Sequence, residues 1–209
     1  MKTKNKSSKV TLKQEKKKRA LLEAAVKIFS EKGFHAAKIK EIAEEAGVAD
    51  GSTYLYFKNK DDLLIKAVEN LFEKKLNEIE DNISNEMNGF DKLIRFTEEH
   101  ITVFTEDPKV VRFLAVELLQ SKEFYKKYPT FKPLRHYLNF LQSICEQAIE
   151  EGSIRNIDSV TLSYIVFGTV NFVITEWAVQ NQPFSLEETK EHIVDILKYG
   201  LKKRNKQAI

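Results

Sequence analysis

The chain has 209 residues, of which 31% are charged and 42% apolar, and its formal net charge is +3. This composition excludes a disordered chain and predicts a soluble protein with enough length for one or two domains and a sizeable core. Seven glycines and four prolines are few helix breakers for this length, which favours long helices. A single cysteine, Cys145, excludes an internal disulfide and a cysteine-rich metal site and suits a reducing cytosol, so we interpret it as a core residue.

The most apolar stretch, residues 162–179, predicts a helix inside the protein rather than a membrane span. Asn171 and Glu176 interrupt it, and it falls short of the roughly 20 apolar residues that a spanning helix needs. We expect this helix to be buried on nearly all sides. The basic start of the chain is not followed by the apolar core of a secretion signal. These features predict a cytoplasmic protein that has no membrane partner.

Positive charge is concentrated in the amino-terminal third. Residues 1–60 contain fifteen Lys and Arg against seven Asp and Glu, so this part carries a formal +8 and the remainder −5. A basic module joined to an acidic remainder indicates binding to a polyanion. For residues 1–10 alone, a disordered leader that only keeps the chain soluble explains the charge equally well.

Apolar periodicity predicts four helices in this basic part. Gly33 and Gly47 are suited to end the first two, and Asp50 or Ser52 is available to cap the third. The predicted helices span residues 14–32, 38–46 and 49–57, and a long fourth helix begins near residue 60 and reaches residue 83.

Two short helices that are separated by a glycine turn and preceded by a supporting helix form a helix-turn-helix. In this arrangement Val48 and Leu55 pack inward, while the start of the third helix faces the DNA major groove. Small and hydroxyl side chains there can approach base edges, and tyrosines and lysines can hold phosphates. Tyrosines that only covered a core would leave these neighbours unexplained. The predicted DNA-binding residues are Lys38, Gly51, Ser52, Thr53, Tyr54, Tyr56, Lys58 and Lys60.

The stretch GVADGSTYLYFKNKDDLL, residues 47–64, follows KIKEIAEEA and ALLEAAVKIFSEKGF, and together they resemble the amino-terminal domain of TetR-type transcriptional regulators. The resemblance implies an all-helical homodimer that is not an enzyme. It implies a helix-turn-helix DNA-binding domain over residues 15–75 and a helical-bundle ligand-binding and dimerisation domain over residues 76–209. One position departs from the family, because Ala37 stands where a Thr or Ser usually caps the second helix. Lys38 is expected to supply a phosphate contact instead.

The remaining sequence predicts five further helices and no strands. Ser185 followed by Glu188 indicates a capping box at the start of the last one. We expect the apolar helix and the amphipathic last helix to pair with their copies across a two-fold axis, as in similar proteins. Dimerisation also lets two heads reach successive major grooves roughly 34–36 Å apart. The five helices are predicted over residues 90–105, 108–121, 131–151, 158–181 and 185–203.

Polar residues within the apolar, ring-rich helices of this second part predict a roomy apolar pocket with a few polar groups. The stretches LAVELLQS and AIEEGSIRNIDSVTLSYIVFGTVNFVITEWAVQNQPFSL also resemble the TetR-type regulators of fatty-acid degradation. That resemblance implies a long-chain acyl-CoA ligand, with Arg112 or a nearby lysine facing the CoA phosphates. The four histidines lie apart, so we expect no metal and no cofactor. The predicted ligand-binding residues are Phe104, Arg112, Phe113, Val116, Glu117, Gln120, Tyr137, Phe140, Ile144, Phe167, Asn171 and Ile174.

The leading hypothesis is a homodimeric repressor that a small apolar or amphipathic inducer releases from a palindromic operator, through a shift of the long fourth helix. A multidrug-type regulator, released by cationic aromatic compounds that Glu117 or Glu176 would meet, is the main alternative. An acyl-CoA-using enzyme would need a nucleophile or base, and Cys145, His136 and Glu117 have no recognisable partners for that role. A non-specific architectural DNA binder is a further alternative, and changes at Ser52, Thr53 or Tyr54 would weaken it equally on all sequences.

Overall fold

The computed structural model describes residues 3–118 and 122–201, and every regular element in these ranges is helical. The all-α fold class is therefore confirmed. The chain divides into two compact units. The first contains the residues up to Leu71 together with Phe113–Phe131, and the second contains Phe72–Arg112 and the residues from Lys132 onward.

The first unit begins with three helical elements in the predicted order. Helix α1 spans Thr3–Ala36 and α2 spans Ile39–Glu45; a 3-10 helix over Asp50–Leu55, called the recognition segment below, follows them. Helix α1 starts well before the predicted residue 14, so the backbone of the basic start is helical from Thr3. Gly33 and Gly47 have φ of +76° and +63°, a left-handed conformation that glycine adopts without strain. Gly47 follows the end of α2 as predicted, whereas Gly33 forms a kink inside α1, which continues to Ala36.

Helix α3 spans Lys60–Asp81, and its first half belongs to the first unit. The core of this unit is formed by apolar side chains from all of these elements, which explains why short helices with little intrinsic stability persist here. Its fully buried members include Leu21, Phe29, Ile42, Phe57, Leu63 and Leu64.

The segment Phe113–Phe131, which the sequence assigned to the second domain, packs on the first unit. Its π-helix, Phe113–Leu118, contacts α1, and the ring of Phe113 stacks on that of Phe29 with centroids 6.1 Å apart. The single helix predicted over residues 108–121 is therefore wrong. Helix α5 covers Pro108–Arg112, and the chain then widens into i→i+5 hydrogen bonding, which periodicity does not reveal.

A short helix that the sequence analysis missed, α6 over Lys122–Lys127, completes this segment. The Lys127 ammonium lies 2.9 Å from the Asp61 carboxylate at the start of α3. The Tyr128 hydroxyl also hydrogen-bonds to Asp61. Partial burial raises the pKa of Asp61, but the hydrogen bonds from these two partners lower the pKa by more. The net pKa is therefore below its usual value, and the carboxylate stays charged. The segment is thus attached to the first unit by both ring stacking and charge.

The second unit is a bundle of α4 (Gly89–Thr105), α5, α7 (Arg135–Glu150), α8 (Ser159–Val179) and α9 (Leu186–Leu201), together with the second half of α3. Helices α4, α7 and α8 pack on one another, and α9 packs on α4. Side chains cap several of these helices. The Ser185 hydroxyl accepts a hydrogen bond from the Glu188 N–H at 3.2 Å, as predicted for the last helix.

Helix α8 is not buried on nearly all sides, so that expectation is wrong for a single chain. Only 39% of its most apolar 18-residue window is buried, although the helix is long and apolar enough to pass a test for a membrane span. Its inner side packs on α4, α5 and α7, because the bundle has neighbours for only that side. The outer side leaves Tyr164, Ile165 and Phe172 exposed, and α9 exposes Ile196 and Tyr199.

Candidate DNA-binding and ligand-binding sites

The recognition segment is a 3-10 helix rather than the predicted α-helix. Its N-cap is Ala49, which forms no side-chain capping hydrogen bond, so the prediction that Asp50 or Ser52 caps it is wrong. A 3-10 helix has three residues per turn, and side chains at i and i+3 therefore eclipse one another. Gly51 and Tyr54 share one side of the segment, and Ser52 and Leu55 share another.

This geometry exchanges the roles predicted for two residues. Thr53 was predicted to face DNA, but only 1% of it is exposed, and its hydroxyl has no hydrogen-bond partner among the described residues. Leu55 was predicted to pack inward, but it is 80% exposed. Phe57, which follows the segment and is 2% exposed, takes the core position instead. Backbone N–H groups of Tyr56 and Phe57 both donate to the Thr53 carbonyl at 3.0 Å, which holds this end of the segment against the core.

The other predicted residues of the recognition segment lie at the surface. Gly51 and Tyr54 are exposed, Ser52 is partly exposed, and Lys58 just beyond the segment is exposed. Tyr56 is half-buried beside Phe57, with ring centroids 6.3 Å apart. These positions make contact with DNA sterically feasible, and the contacts themselves remain predictions.

Two hydrogen bonds from backbone N–H groups to side chains fix the start of α3. The Asp62 N–H donates to Asn59 Oδ1 at 2.8 Å, and the Lys58 N–H donates to Asp62 Oδ2 at 2.9 Å. Burial raises the pKa of the Asp62 carboxyl, but the hydrogen bonds from Lys58 and Lys66 outweigh it, and the net pKa is lowered. The backbone that presents the Lys58 side chain is therefore well ordered by its local contacts.

Lys60 has a structural role that the sequence analysis did not anticipate. Its ammonium donates to the His35 carbonyl at 3.0 Å and lies 4.7 Å from the centroid of the Phe34 ring. Partial burial lowers the pKa of Lys60, although the nearby Asp61 and Glu41 carboxylates oppose this. Its charge joins the end of α1 to the start of α3, and the phosphate contact predicted for Lys60 stays a prediction.

The entrance to α2 differs from the expectation based on Ala37. Ala37 is 2% exposed and precedes the N-cap, which is Lys38. The Lys38 N–H donates to Glu41 Oε2 at 3.0 Å, so a carboxylate three residues later satisfies this backbone group without a hydroxyl. Hydrogen bonds from Lys32 and then from the Lys38 backbone lower the pKa of Glu41. The Lys38 side chain remains exposed.

In the second unit, a buried polar pair lies among aromatic rings. The Tyr137 hydroxyl and His100 Nδ1 are 2.6 Å apart, and the two residues are 1% and 2% exposed. Neighbouring ring centroids lie between 4.9 and 6.4 Å apart. We call this group the aromatic cluster; it comprises Phe72, Phe96, His100, Phe104, Tyr137, Phe140 and Phe167.

Sequence analysis proposed Phe104, Tyr137, Phe140 and Phe167 for the ligand site but missed His100. The available signal was the spacing of Phe96, His100 and Phe104, which are four residues apart on α4 and therefore share one face. Complete burial lowers the pKa of His100 to about 3 and raises the pKa of Tyr137 well above its usual value. Both side chains are therefore neutral at physiological pH.

Phe140 and one further predicted ligand residue, Ile144, line a cleft of about 370 Å³. Lys92 lies in the same cleft, and its ammonium donates to Gln147 Oε1 at 2.9 Å. Phe140 also contacts Phe96, with ring centroids 6.1 Å apart, so it lies between the cleft and the rest of the aromatic cluster. The remaining residues of the cleft are Glu80, Ile83, Asn85 and Ser143.

Several predicted ligand residues do not join this group. The Arg112 guanidinium donates from Nη2 to the Ala178 carbonyl at 2.7 Å and to Asn181 Oδ1 at 2.8 Å, so it caps the end of α8 rather than facing a ligand phosphate. Phe113 belongs to the first unit. Ile174 packs in a further apolar cluster with Val170 and Trp177, among others, and Phe104 of the aromatic cluster packs against it. Asn171 is half-buried, the side chains of Val116 and Glu117 are not described, and Gln120 lies outside the described residues.

Residues with acid-base or metal-binding chemistry do not assemble into a site in the described part of the chain. No group of three or more His, Cys, Asp or Glu there could hold a metal ion. Cys145 is fully buried, and burial followed by the charge of Glu146 raises the pKa of its thiol to about 12, as expected of a core cysteine. His136 is exposed.

A small amino-terminal helical unit with an exposed recognition segment, attached to a separate helical bundle, defines a helix-turn-helix DNA-binding regulator. The chain belongs to the TetR family of bacterial regulatory proteins: the family's amino-terminal domain model matches residues 21–67. A model of the C-terminal region of YsiA-like proteins matches residues 69–200. Membership of this family makes the protein a transcription regulator and not an enzyme.

Individual relatives extend the comparison over both units. The chain is 31% identical over 183 residues to the fatty acid metabolism regulator protein of Bacillus subtilis, covering 87% of this chain and 93% of the relative. The crystal structure of the transcriptional regulator FadR from Bacillus subtilis in complex with stearoyl-CoA is 30% identical. It superposes with a TM-score of 0.76 over 88% of this chain and 98% of that one. FadR from Bacillus halodurans is 27% identical, with a TM-score of 0.77 over 90% and 97% of the two chains.

Replacing Thr53 by Val should raise the free energy of unfolding by about 1 kcal/mol, because it removes a buried hydroxyl that has no partner. Operator affinity should change less than about twofold, since the side chain does not reach the surface. Urea unfolding and fluorescence anisotropy with an operator duplex would measure both quantities. Ser52→Ala serves as the comparison, because that partly exposed residue is expected to affect DNA binding. A large loss of operator affinity in Thr53→Val would contradict the buried assignment.

Stability should fall as the pH falls below about 6.5, since His100 stays neutral in the folded chain while the unfolded chain takes up a proton. This one group should remove about 1.4 kcal/mol of unfolding free energy between pH 7.5 and 5.5. Urea unfolding of wild type and His100→Gln at both pH values tests this, because Gln cannot titrate. His136→Gln, at an exposed histidine, should retain the wild-type pH dependence. Equal pH dependence in wild type and His100→Gln would show that the buried histidine does not resist protonation.

Proposed function

We propose that this protein is a homodimeric repressor that binds a palindromic operator and leaves it when a long-chain acyl-CoA binds to the second unit. The observation that carries the proposal is the likeness, over 88% of the chain, to a regulator whose structure contains stearoyl-CoA. That likeness includes the bundle, so it extends beyond the DNA-binding motif common to the family. A protein that acts on the bacterial chromosome in this way works in the cytoplasm.

The aromatic cluster and the adjoining cleft are the proposed place for the ligand. The cluster supplies an almost entirely apolar environment for an acyl chain, and its neutral His100–Tyr137 pair adds a polar group without a charge. Lys92 lines the cleft beside Phe140, and we propose it in place of Arg112 as the partner of the CoA phosphates because Arg112 lies at the end of α8 and not in the cleft. Phe104, Tyr137, Phe140, Ile144 and Phe167 remain proposed ligand residues.

The passage from Arg112 to Phe113 is the proposed route by which the ligand acts on DNA binding. Arg112 is bonded to the end of α8 in the second unit, and the next residue, Phe113, stacks on Phe29 in the first unit. A ligand that favours a different position of α5 or α8 would therefore act on α1 through one peptide bond. Release requires that the ligand bind the DNA-competent and the released conformations with different affinities.

The exposed apolar face of α8 and α9 is the proposed dimer interface, with a second copy of the chain as its occupant. Tyr164, Ile165, Phe172, Ile196 and Tyr199 are between 53% and 74% exposed, which is unusual for large apolar side chains on two adjacent helices. A two-fold interface uses the same face of both copies, so each residue would be covered by the partner's equivalent surface. A dimer is also what a palindromic operator requires, since each half-site takes one head.

Stearoyl-CoA should release the protein from the DNA upstream of its own gene, whereas free CoA and cationic dyes should not. Fluorescence anisotropy of that duplex, titrated with each compound at physiological salt, measures the release. Lys92→Ala should weaken the response to stearoyl-CoA about tenfold while leaving DNA affinity unchanged, because it removes a charge-assisted contact to phosphate. Lys109→Ala, at an exposed lysine on α5, is the matched control and should respond as wild type does. Release by the dyes alone would favour the multidrug-type alternative and overturn the acyl-CoA proposal.

Phe172→Asp should convert the protein to a monomer and abolish tight operator binding, since it places two carboxylates in an apolar interface. Sedimentation velocity and operator anisotropy report the two effects. Leu12→Asp changes a similarly exposed apolar residue in the first unit and should leave the dimer intact. A Phe172→Asp protein that still sediments as a dimer would place the interface elsewhere.

A further inference from the structure

We propose that Leu55 reads the 5-methyl group of a thymine in the operator and is a specificity-determining residue. The inference rests on operator binding by the recognition segment and goes beyond it by assigning a chemical group to one side chain. Among the described residues, Leu55 has the largest exposed fraction of any large apolar side chain, at 80%. It lies on the recognition segment, within the residues that the family's amino-terminal domain model matches, and not on the exposed face of α8 and α9.

The position of Leu55 follows from local geometry. Thr53 and Phe57 are buried, and the hydrogen bonds from Tyr56 and Phe57 to the Thr53 carbonyl hold the intervening backbone between them. At three residues per turn, Leu55 lies on a different side of the segment from the buried Thr53, and it therefore points away from the core. A leucine held outward by a buried frame loses little further backbone freedom on binding.

The surroundings of Leu55 select the kind of partner. Ser52 eclipses it on the same side of the 3-10 helix, Tyr54 precedes it at 60% exposure, and Lys58 is exposed three residues later. The hydroxyl groups and the ammonium can hydrogen-bond to base edges and phosphates. The branched apolar side chain between them cannot form a hydrogen bond and needs an apolar partner. The thymine 5-methyl is the apolar group that the major groove offers. The mixture of one apolar and several polar side chains thus matches a DNA groove that contains thymine better than it matches an apolar protein surface.

Replacing thymine by uracil removes only this methyl group and leaves base pairing intact, which makes it the direct test. An operator is first selected from random duplexes with the wild-type protein, and each thymine is then replaced by uracil, symmetrically in both half-sites. At one symmetric pair of positions the wild-type affinity should fall about fifteenfold, because each of two buried methyl groups is worth about 0.8 kcal/mol.

Leu55→Ala should bind the thymine operator more weakly and lose the difference between thymine and uracil at that position. Leu55→Met, which restores an apolar side chain of similar volume, should recover most of the discrimination. Lys58→Ala is the control. Loss of a phosphate contact should weaken binding to the thymine and uracil duplexes equally, so the ratio of the two affinities should not change. All of these positions are exposed, and circular dichroism would verify that the variants fold.

Two results would overturn the assignment while leaving operator binding in place. The first is a ratio of affinities for the thymine and uracil duplexes that is the same in Leu55→Ala as in wild type. The second is that no replacement of thymine by uracil lowers the wild-type affinity. Failure of the wild-type protein to select any sequence from the random duplexes is a different result. It would overturn specific operator binding itself, and the Leu55 assignment with it.

Discussion

The burial of Thr53 and Phe57 is the contact on which the DNA-binding surface depends. These two side chains enter the core of the first unit from opposite ends of a five-residue stretch, and two hydrogen bonds to the Thr53 carbonyl hold the backbone between them. Because that turn is a 3-10 helix, Tyr54 and Leu55 are both directed outward, next to each other. Without the buried pair, a six-residue helix would have no stability of its own, and the outward residues would have no fixed arrangement.

The second feature that organises the molecule is the attachment of Phe113–Phe131 to the first unit. Stacking of Phe113 on Phe29 and the contact of Lys127 with Asp61 join this segment to both α1 and α3. The preceding residue, Arg112, is bonded into the other unit. The chain crosses between the two units at this peptide bond, and it crosses again between Leu71 and Phe72 and between Phe131 and Lys132. The crossing after Arg112 is the route by which we propose that a ligand in the bundle acts on DNA binding.

Much of the fold could be predicted because it rests on local signals. Gly33 kinks α1 and Gly47 follows the end of α2, both in left-handed conformations. Ser185 caps the last helix, and apolar periodicity located α3, α4, α7, α8 and α9 to within a few residues. The candidate sites were predicted less well. The π-helix after Arg112 and the short helix α6 leave no periodic signature, so the sequence merged the former into one α-helix and missed the latter.

By itself, the sequence determined the all-helical class, the position of the helix-turn-helix and the resemblance to TetR-type regulators, because these follow from short-range spacing and residue type. Only the tertiary structure decided which side chains face outward. Thr53 is buried and Leu55 is exposed. Lys60 is hydrogen-bonded to the His35 carbonyl and Arg112 to the Ala178 carbonyl at the end of α8, and His100 lies beside Tyr137. The reason is physical: a side chain's direction depends on the exact helical pitch and on partners distant in sequence, and neither is encoded in a periodic pattern of apolar residues.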